Sequence, residues 1–264
     1  ARHGVASTRL MRIGDSPDSE IVAAADEIGA DLIVMGRQGR RGLARMMVGH
    51  ATVKVIGAAK CSVLVVPVGA DMWHDRILLG TDGSRFSDAA AVSATAIAHC
   101  CAAPITVISA LVPSHSERRQ QEGREAVART TAQLAREGLE AEGLVLPGEA
   151  DEVIIKLAQD TGADLVVVGT HGRTGFGKVL LGSVSERVIG KAKCAVLVVK
   201  ATGVRAGLPE AQVPQATEPG SQAEPGVDDT GSLAAAALAR RSRLSAAEPE
   251  DTPPTRRGRR ADRG

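Results

Sequence analysis

Two 40-residue stretches of the chain are copies of each other, and they decide the fold. Residues 29–68 read GADLIVMGRQGRRGLARMMVGHATVKVIGAAKCSVLVVPV, and residues 162–201 read GADLVVVGTHGRTGFGKVLLGSVSERVIGKAKCAVLVVKA. The stretches are offset by 133 positions without a gap, and 20 of the 40 residues are identical. Such identity at a constant offset indicates an internal duplication. We name residues 1–68 the first repeat and residues 76–201 the second repeat.

The second repeat alternates apolar runs with stretches of helical periodicity. The apolar runs are continuous, as in strands that are buried on both faces. We predict five strands, at 77–81, 105–111, 144–146, 165–169 and 196–200. We predict four helices, at 87–101, 116–142, 151–161 and 184–192. Strands that alternate with helices favour right-handed crossovers, so the expected fold is α/β, with a doubly wound parallel five-stranded sheet.

The first repeat carries only the rear half of this pattern. Its predicted elements are a strand, a helix, a strand, a helix and a strand, at 9–13, 18–28, 32–36, 52–59 and 63–66. A counterpart of residues 76–142 is missing, because subtracting the offset of 133 from Asp82 gives a position before residue 1. We therefore expect two tandem units, the first of which is incomplete and lacks roughly 55 to 60 residues at its front.

The composition changes after the second repeat. Residues 202–264 hold seven of the 12 prolines and no Ile, Lys, Cys or aromatic residue. A segment of this kind buries too little apolar surface to offset the entropy of ordering it. We therefore predict a disordered C-terminal tail at 202–264, and we interpret residues 69–75 as a linker between the repeats.

The overall composition excludes several classes of protein. With 32 basic and 31 acidic residues, the net charge of +1 gives no field that would attract nucleic acid or an anionic membrane. The apolar runs fall far short of the roughly 20 residues that cross a bilayer. Four cysteines are too few for a disulfide scaffold. We expect a cytoplasmic protein that binds neither nucleic acid nor membranes.

Three glycines follow the fourth predicted strand of the second repeat. Gly169 and Gly172 stand three apart where the strand ends, and Gly182 and Ser183 follow after nine further residues. Glycines at a strand end allow the backbone to come close to a ligand. Gly182 and Ser183 lie at the predicted start of a helix, where free N–H groups and the helix dipole favour an anion. This spacing predicts a phosphate site.

A purely structural interpretation of the same residues stays open. Residues 183–186 read S-V-S-E, which fits a helix capping box. The glycines, however, recur in the first repeat with the same spacing, as Gly36, Gly39 and Gly49. Packing alone rarely fixes three glycines twice, so the recurrence favours a binding function.

The glycine motif resembles that of a known family. The pattern G-2x-G-9x-G-(S/T), together with the strand end Gly80-Thr81-Asp82-Gly83-Ser84, is similar to the universal stress protein family. The resemblance covers 76–200 as a full domain and about 9–68 as the rear half of another. It implies a flavodoxin-like sheet of strand order 3-2-1-4-5 that binds ATP, with or without magnesium, between strands 1 and 4. It also implies an intramolecular pseudo-dimer, or a homodimer, through the last strands.

The resemblance also assigns roles to twelve residues of the second repeat. Three would meet the nucleoside, with the carboxylate near the ribose or a metal ion: Gly80, Thr81 and Asp82. One would lie against the adenine: Ala110. Four would line the sugar and phosphates: Gly169, His171, Gly172 and Arg173. Four would hold the phosphates: Gly182, Ser183, Val184 and Ser185.

Two features of the first repeat depart from the family pattern. His50 stands where the motif has Ser or Thr, and no equivalent of Asp82 is present. We therefore expect one intact nucleotide site, in the second repeat. The repeat-equivalent Cys61 and Cys194 are interpreted as buried structural thiols.

Three functions are consistent with these residues. The first is a nucleotide-dependent regulator in the stress response, which acts on a protein partner that the sequence does not identify. The second is an enzyme that uses adenine nucleotides, such as a slow ATPase or phosphotransferase. The third is a scaffold without ligand. No nucleophile and base pair is evident in the motif, which favours the regulator over the enzyme.

Overall fold

The computed structural model describes residues 6–37, 48–70, 75–173 and 181–201, so the predicted tail lies outside the described residues. The first repeat contains α1 (Pro17–Ile28), β1 (Leu32–Gly36), α2 (His50–Ala58) and β2 (Ser62–Val66). The second repeat contains β3 (Ile77–Gly80), α3 (Arg85–Cys101), β4 (Ile105–Leu111), α4 (Glu117–Arg136), β5 (Ala141–Pro147), α5 (Ala150–Thr161), β6 (Leu165–Gly169), α6 (Ser183–Lys191) and β7 (Ala195–Val199).

One seven-stranded sheet runs through both repeats, in the order β1-β2-β7-β6-β3-β4-β5. Numbered within the second repeat, its five strands have the order 3-2-1-4-5, which confirms the predicted fold class. Strands within each repeat pair in parallel. The last strands of the two repeats, β2 and β7, pair antiparallel, with Leu64 opposite Leu197.

Helices cover both faces of the sheet. One face packs against α1, α2, α5 and α6, through residues such as Val55, Ile154 and Val188. The other face packs against α3 and α4, and here α3 presents a row of buried alanines that includes Ala90 and Ala94. Small side chains let this helix lie close to the sheet. Burial of the strands on both faces explains why their sequences are continuously apolar.

The predicted helix over 116–142 is wrong at its C-terminal end. Helix α4 stops at Arg136, and Gly138 follows with a φ of +78°, a conformation that favours glycine. The chain then enters β5 at Ala141, so this strand is longer than the predicted 144–146. Residues 137–140, with Gly138 at the turn, therefore separate the two elements.

The predicted strand at 9–13 is also wrong, because residues 6–14 form neither strand nor helix. The equivalent segment of the second repeat is β5, which pairs with β4. Among the described residues, the first repeat has no counterpart of β4 with which this segment could pair. Met11 and Ile13 are instead exposed to solvent.

In the described ranges, none of the helices combines the length and the apolar character needed to cross a lipid bilayer.

Candidate functional site

A cavity of about 600 Å³ opens where β3, β4 and β6 end. Helix α3 follows β3 onto one face of the sheet and α6 follows β6 onto the other, so the cavity lies where parallel α/β sheets bind ligands. Its volume is typical of small-molecule sites. The structure brings all twelve predicted residues to its wall: Gly80, Thr81, Asp82, Ala110, Gly169, His171, Gly172, Arg173, Gly182, Ser183, Val184 and Ser185.

Asp82 joins the two loops that border the cavity. One carboxylate oxygen accepts a hydrogen bond from the backbone N–H of Ser84 at 3.0 Å, in the loop after β3. The other oxygen accepts from the backbone N–H of Arg173 at 2.9 Å, in the loop after β6. A Cβ at Gly172 would lie 2.7 Å from that second oxygen, so glycine is needed there for the approach. Asp82 thus holds the cavity wall in shape.

Helix α6 directs its N-terminus at the cavity. The N-cap is Gly182, whose N–H donates to the carbonyl of Thr170 at 2.8 Å. Ser183 is the first helical residue, and the N–H groups of Ser183, Val184 and Ser185 have no acceptor within the helix. Together with the helix dipole, these groups favour a bound anion. The capping-box interpretation is wrong, since Gly182 has no side chain with which to cap.

The Ser185 side chain fixes α6 to the end of β6. Its hydroxyl is buried and donates to the carbonyl of Gly169 at 2.8 Å. The Ser185 side chain thus positions the helix, while its backbone N–H lies in the first turn.

Packing against α3 requires glycine at position 169. A Cβ added there would lie 2.7 Å from Cβ of Phe86, on α3. The ring of Phe86 in turn lies 5.3 Å from that of His171, at an angle of 50°. The guanidinium of Arg85 lies over the Phe86 ring, 4.8 Å from its centre. His171 on the wall therefore has an aromatic neighbour on α3.

Arg173 crosses from the β6 loop to two other parts of the wall. Its Nε donates to the backbone carbonyl of Asp82, and its Nη1 donates to the carboxylate of Glu122 on α4. The guanidinium lies over Gly83, which has a φ of +73° and where a Cβ would come within 2.6 Å of Nη2. Glycine at this position therefore permits both the turn and the arginine.

Further polar residues of the wall were not predicted: Ser114, His115, Arg119, Glu149 and Arg187. Ser114 and His115 follow β4, and Glu149 follows β5, at the edge where the predicted residues also lie. Their position directly after a parallel strand is the sequence feature that could have identified them. Arg119 stands in the charge-rich stretch that the sequence analysis assigned to a helix without a function.

Neighbouring charges act on two of these residues, His115 and Arg187. Burial, and next the positive charge of Arg119, lower the pKa of His115. The neutral imidazole is therefore favoured. Arg187 forms an ion pair of 2.8 Å with the buried carboxylate of Asp151, which also accepts from Lys191 at 3.1 Å.

Cys61 and Cys194 are half-buried at the repeat-equivalent position before β2 and β7. Burial raises the pKa of both thiols, to about 11 for Cys194. No cluster of three or more His, Cys, Asp or Glu that could hold a metal ion occurs among the residues that the structure describes.

The chain is similar to known proteins along both repeats. The sequence profile of the universal stress protein family matches residues 1–67 and 74–200. Universal stress protein MJ0531 of Methanocaldococcus jannaschii is 36% identical over 140 residues, which are 48% of this chain and 82% of the relative. Universal stress protein Rv2005c of Mycobacterium tuberculosis is 31% identical over 211 residues, which are 74% of this chain and 69% of the relative.

The fold of the chain is also similar to that of a solved structure. The crystal structure of protein PA1789 from Pseudomonas aeruginosa PAO1 superimposes with a TM-score of 0.57 at 26% identity, over 70% of this chain and 68% of that one. The repeats, the sheet order and the glycine motif agree with these matches. The chain belongs to the universal stress protein family.

Proposed function

We propose that the second repeat binds ATP in the cavity between β3 and β6, and that the bound nucleotide regulates the protein in the stress response. The observation that carries this proposal is the first turn of α6, in which Ser183, Val184 and Ser185 line the cavity and their N–H groups have no acceptor within the helix. Backbone donors at a helix N-terminus are a general site for phosphate.

The opposite part of the wall suits a nucleoside. Ile108, Ala110 and Val112 of β4 and its end line it with apolar side chains, against which an adenine ring can pack. Ser109 and Gly123 lie in close contact beside them, since a Cβ at Gly123 would come within 3.0 Å of the serine oxygen. ATP would thus place its base at β4 and its phosphates at α6.

Magnesium would enter this site with the phosphates. Asp82 is the acidic residue that the family resemblance places near a metal, and both of its oxygens already accept backbone hydrogen bonds. Each retains a further lone pair, so the carboxylate can contact a hydrated Mg²⁺ without losing its role in the loops. The ion would neutralise part of the negative charge of the phosphates.

We propose regulation in preference to turnover. A general base needs a carboxylate or imidazole that can take up a proton beside the reacting group. The two backbone donors on Asp82 hold its carboxylate in the loops that border the cavity. A nucleotide that persists on the protein is suited to control which partner binds, and we propose an as yet unidentified protein as that partner, in the cytoplasm.

The two repeats are proposed to act as an intramolecular pseudo-dimer through β2 and β7, with one nucleotide for each chain. The antiparallel pairing of these strands supports the first part. The expectation of one nucleotide for each chain rests on His50 in the first repeat. Calorimetric titration with ATP should therefore give one site per chain.

A ligand-free scaffold is the second candidate. The glycines favour it, because a Cβ at Gly169 or Gly172 would meet protein atoms at 2.7 Å whether or not a ligand is bound. Substituting a glycine would therefore disturb the fold and the ligand site together. A test must change the phosphate site and leave the glycines intact.

Ser183→Glu meets this condition. Ser183 is exposed at the first position of α6, where a carboxylate interacts favourably with the helix dipole but repels phosphate. The matched control is His50→Glu, at the equivalent exposed position of α2. Melting temperatures are measured for both variants and the wild type with ATP and magnesium, AMP or GTP, after removal of any bound nucleotide.

The regulator is supported by an ATP-specific shift that Ser183→Glu abolishes and His50→Glu preserves. A ligand at 100 times its dissociation constant stabilises by about 2.7 kcal/mol, which moves the transition by several degrees. No shift in the wild type with any nucleotide favours the scaffold. Turnover of ATP above background that is lost in Asp82→Ala favours the enzyme.

A further inference from the structure

Helix α4 places a carboxylate against Arg173, a residue of the cavity wall of the second repeat. Glu122, on this helix, accepts a hydrogen bond from Nη1 of Arg173 through Oε2. Its other oxygen, Oε1, accepts from Nε of Arg118 at 3.1 Å, but the Arg118 side chain is 90% exposed. The pair with Arg173 is the more sheltered, with side chains 31% and 27% exposed. It links α4 to the loop that precedes the phosphate site.

Arg173 is fixed by these contacts on more than one side. Its backbone N–H donates to Asp82 at 2.9 Å, and its Nε donates to the backbone carbonyl of the same residue. Among the described residues that contact Arg173, Glu122 is the one that offers a carboxylate to the guanidinium. The position of the arginine is thus held mainly by the loops, while its positive charge is offset by Glu122.

We propose that Glu122 offsets the positive charge of Arg173 and so sets how strongly the site prefers a polyphosphate. This inference rests on the proposed function, because it names a determinant of the same site. Arg173 lines the cavity, and its charge would attract phosphate groups. The negative charge of Glu122 opposes that attraction, and it does so more for ATP than for a ligand with fewer charges.

Glu122→Gln separates the charge from the hydrogen bond. The amide oxygen can still accept from Arg173, so the guanidinium keeps a partner on α4. Removal of the carboxylate charge should raise the affinity for ATP about fivefold, given the effective dielectric near a protein surface and screening by salt. The affinity for adenosine, which has no charge, should not change.

The experiment compares the dissociation constants of ATP and adenosine, measured by calorimetry at physiological salt, for the wild type and Glu122→Gln. The matched control is Glu125→Gln, which removes an exposed carboxylate of the same helix that accepts a hydrogen bond from Nε2 of Gln121 at 3.1 Å. Arg173→Lys, alone and combined with Glu122→Gln, completes a double-mutant cycle. Equal melting temperatures without ligand verify that each variant is folded.

The inference is supported when Glu122→Gln tightens ATP and spares adenosine, Glu125→Gln changes neither, and the gain shrinks in the Arg173→Lys background. It is overturned when Glu122→Gln leaves the ATP affinity unchanged, or shifts ATP and adenosine by the same factor. It is also overturned when Glu125→Gln gives an equal gain, which would indicate a general effect of surface charge. A wild type that binds neither ligand contradicts the proposed function itself, and this inference with it.

Discussion

The two repeats build the same local structure at the strand and helix that carry the glycine motif. In the second repeat the N–H of Gly182 donates to the carbonyl of Thr170 at 2.8 Å, and in the first the N–H of Gly49 donates to that of Arg37 at 2.9 Å. The hydroxyl of Thr52 donates to Gly36 at 3.3 Å, as that of Ser185 does to the equivalent glycine. The duplicated sequence therefore specifies this local geometry wherever it occurs.

What differs is the neighbour across the sheet. In the second repeat, β6 lies between β7 and β3, and Leu165 and Val167 are fully buried. In the first repeat, β1 pairs with β2 alone within the described residues, and Leu32 and Val34 are 43% and 60% exposed. The motif becomes the wall of a cavity only where β3 and β4 face it. A glycine motif thus supplies half of a site, and the strands opposite supply the rest.

The largest expected difference between the repeats concerns the equivalent leucines of β1 and β6. Leu165→Ala opens a cavity in a fully buried position and should lower the free energy of unfolding by about 3 kcal/mol. Leu32→Ala removes a side chain that is nearly half exposed, and should cost less than about 1 kcal/mol. Urea denaturation followed by circular dichroism measures both values.

Equal losses for the two leucines would contradict this comparison, since they would show that β1 is covered as fully as β6 in solution. Ile33→Ala serves as the control. Its side chain is buried under the helices of the first repeat, so it should be costly even though it lies on the same edge strand.

A smaller difference is expected for a carboxylate that both repeats place at the start of a helix. Asp151 is 4% exposed and bonds both Arg187 and Lys191. Its counterpart Asp18 is 17% exposed and lies 3.7 Å from Lys54. Asp151→Asn should cost about 1.5 kcal/mol, because it weakens two charged hydrogen bonds whose cationic partners remain partly solvated.

Asp18→Asn should cost less than about 0.5 kcal/mol, since the ion pair is long and the partner exposed. The difference in cost between the two substitutions should decrease only slightly in 1 M salt, because a buried carboxylate is screened less than an exposed one. Urea denaturation at low and high salt provides both measurements. An equal cost for the two substitutions would show that burial of Asp151 does not strengthen its ion pairs.

The sequence predicted the parts of this fold that depend on local pattern. Continuous apolar runs identified the strands of the second repeat, and the glycine motif located the cavity. The strand predicted at 9–13 was wrong, because a local pattern does not show whether another strand is present to pair with it. The end of α4 was missed because Gly138 stands in a stretch with few apolar residues to mark a boundary.

The charged part of the wall was harder to predict than the glycines. Arg119 and Glu122 stand on a helix whose composition is that of an exposed surface. Which of its charged side chains turn towards the cavity depends on how α4 packs against β4 and β5, and that packing is set by residues distant in sequence. Their place beside the cavity therefore becomes visible only in three dimensions.

The smallest expected difference concerns the thiols at the start of β2 and β7. The thiolate is the reactive form of cysteine, so a raised pKa slows alkylation. Burial raises the pKa of Cys194 to about 11, and it raises that of Cys61 as well. Because the larger rise in pKa is that of Cys194, iodoacetamide at pH 8 should modify Cys194 more slowly than Cys61. Peptide mass spectrometry over time measures both rates in one sample, and in urea the two cysteines should react alike. Faster modification of Cys194 in the folded protein would show that β7 is less protected than β2, the reverse of what the two sheet positions predict.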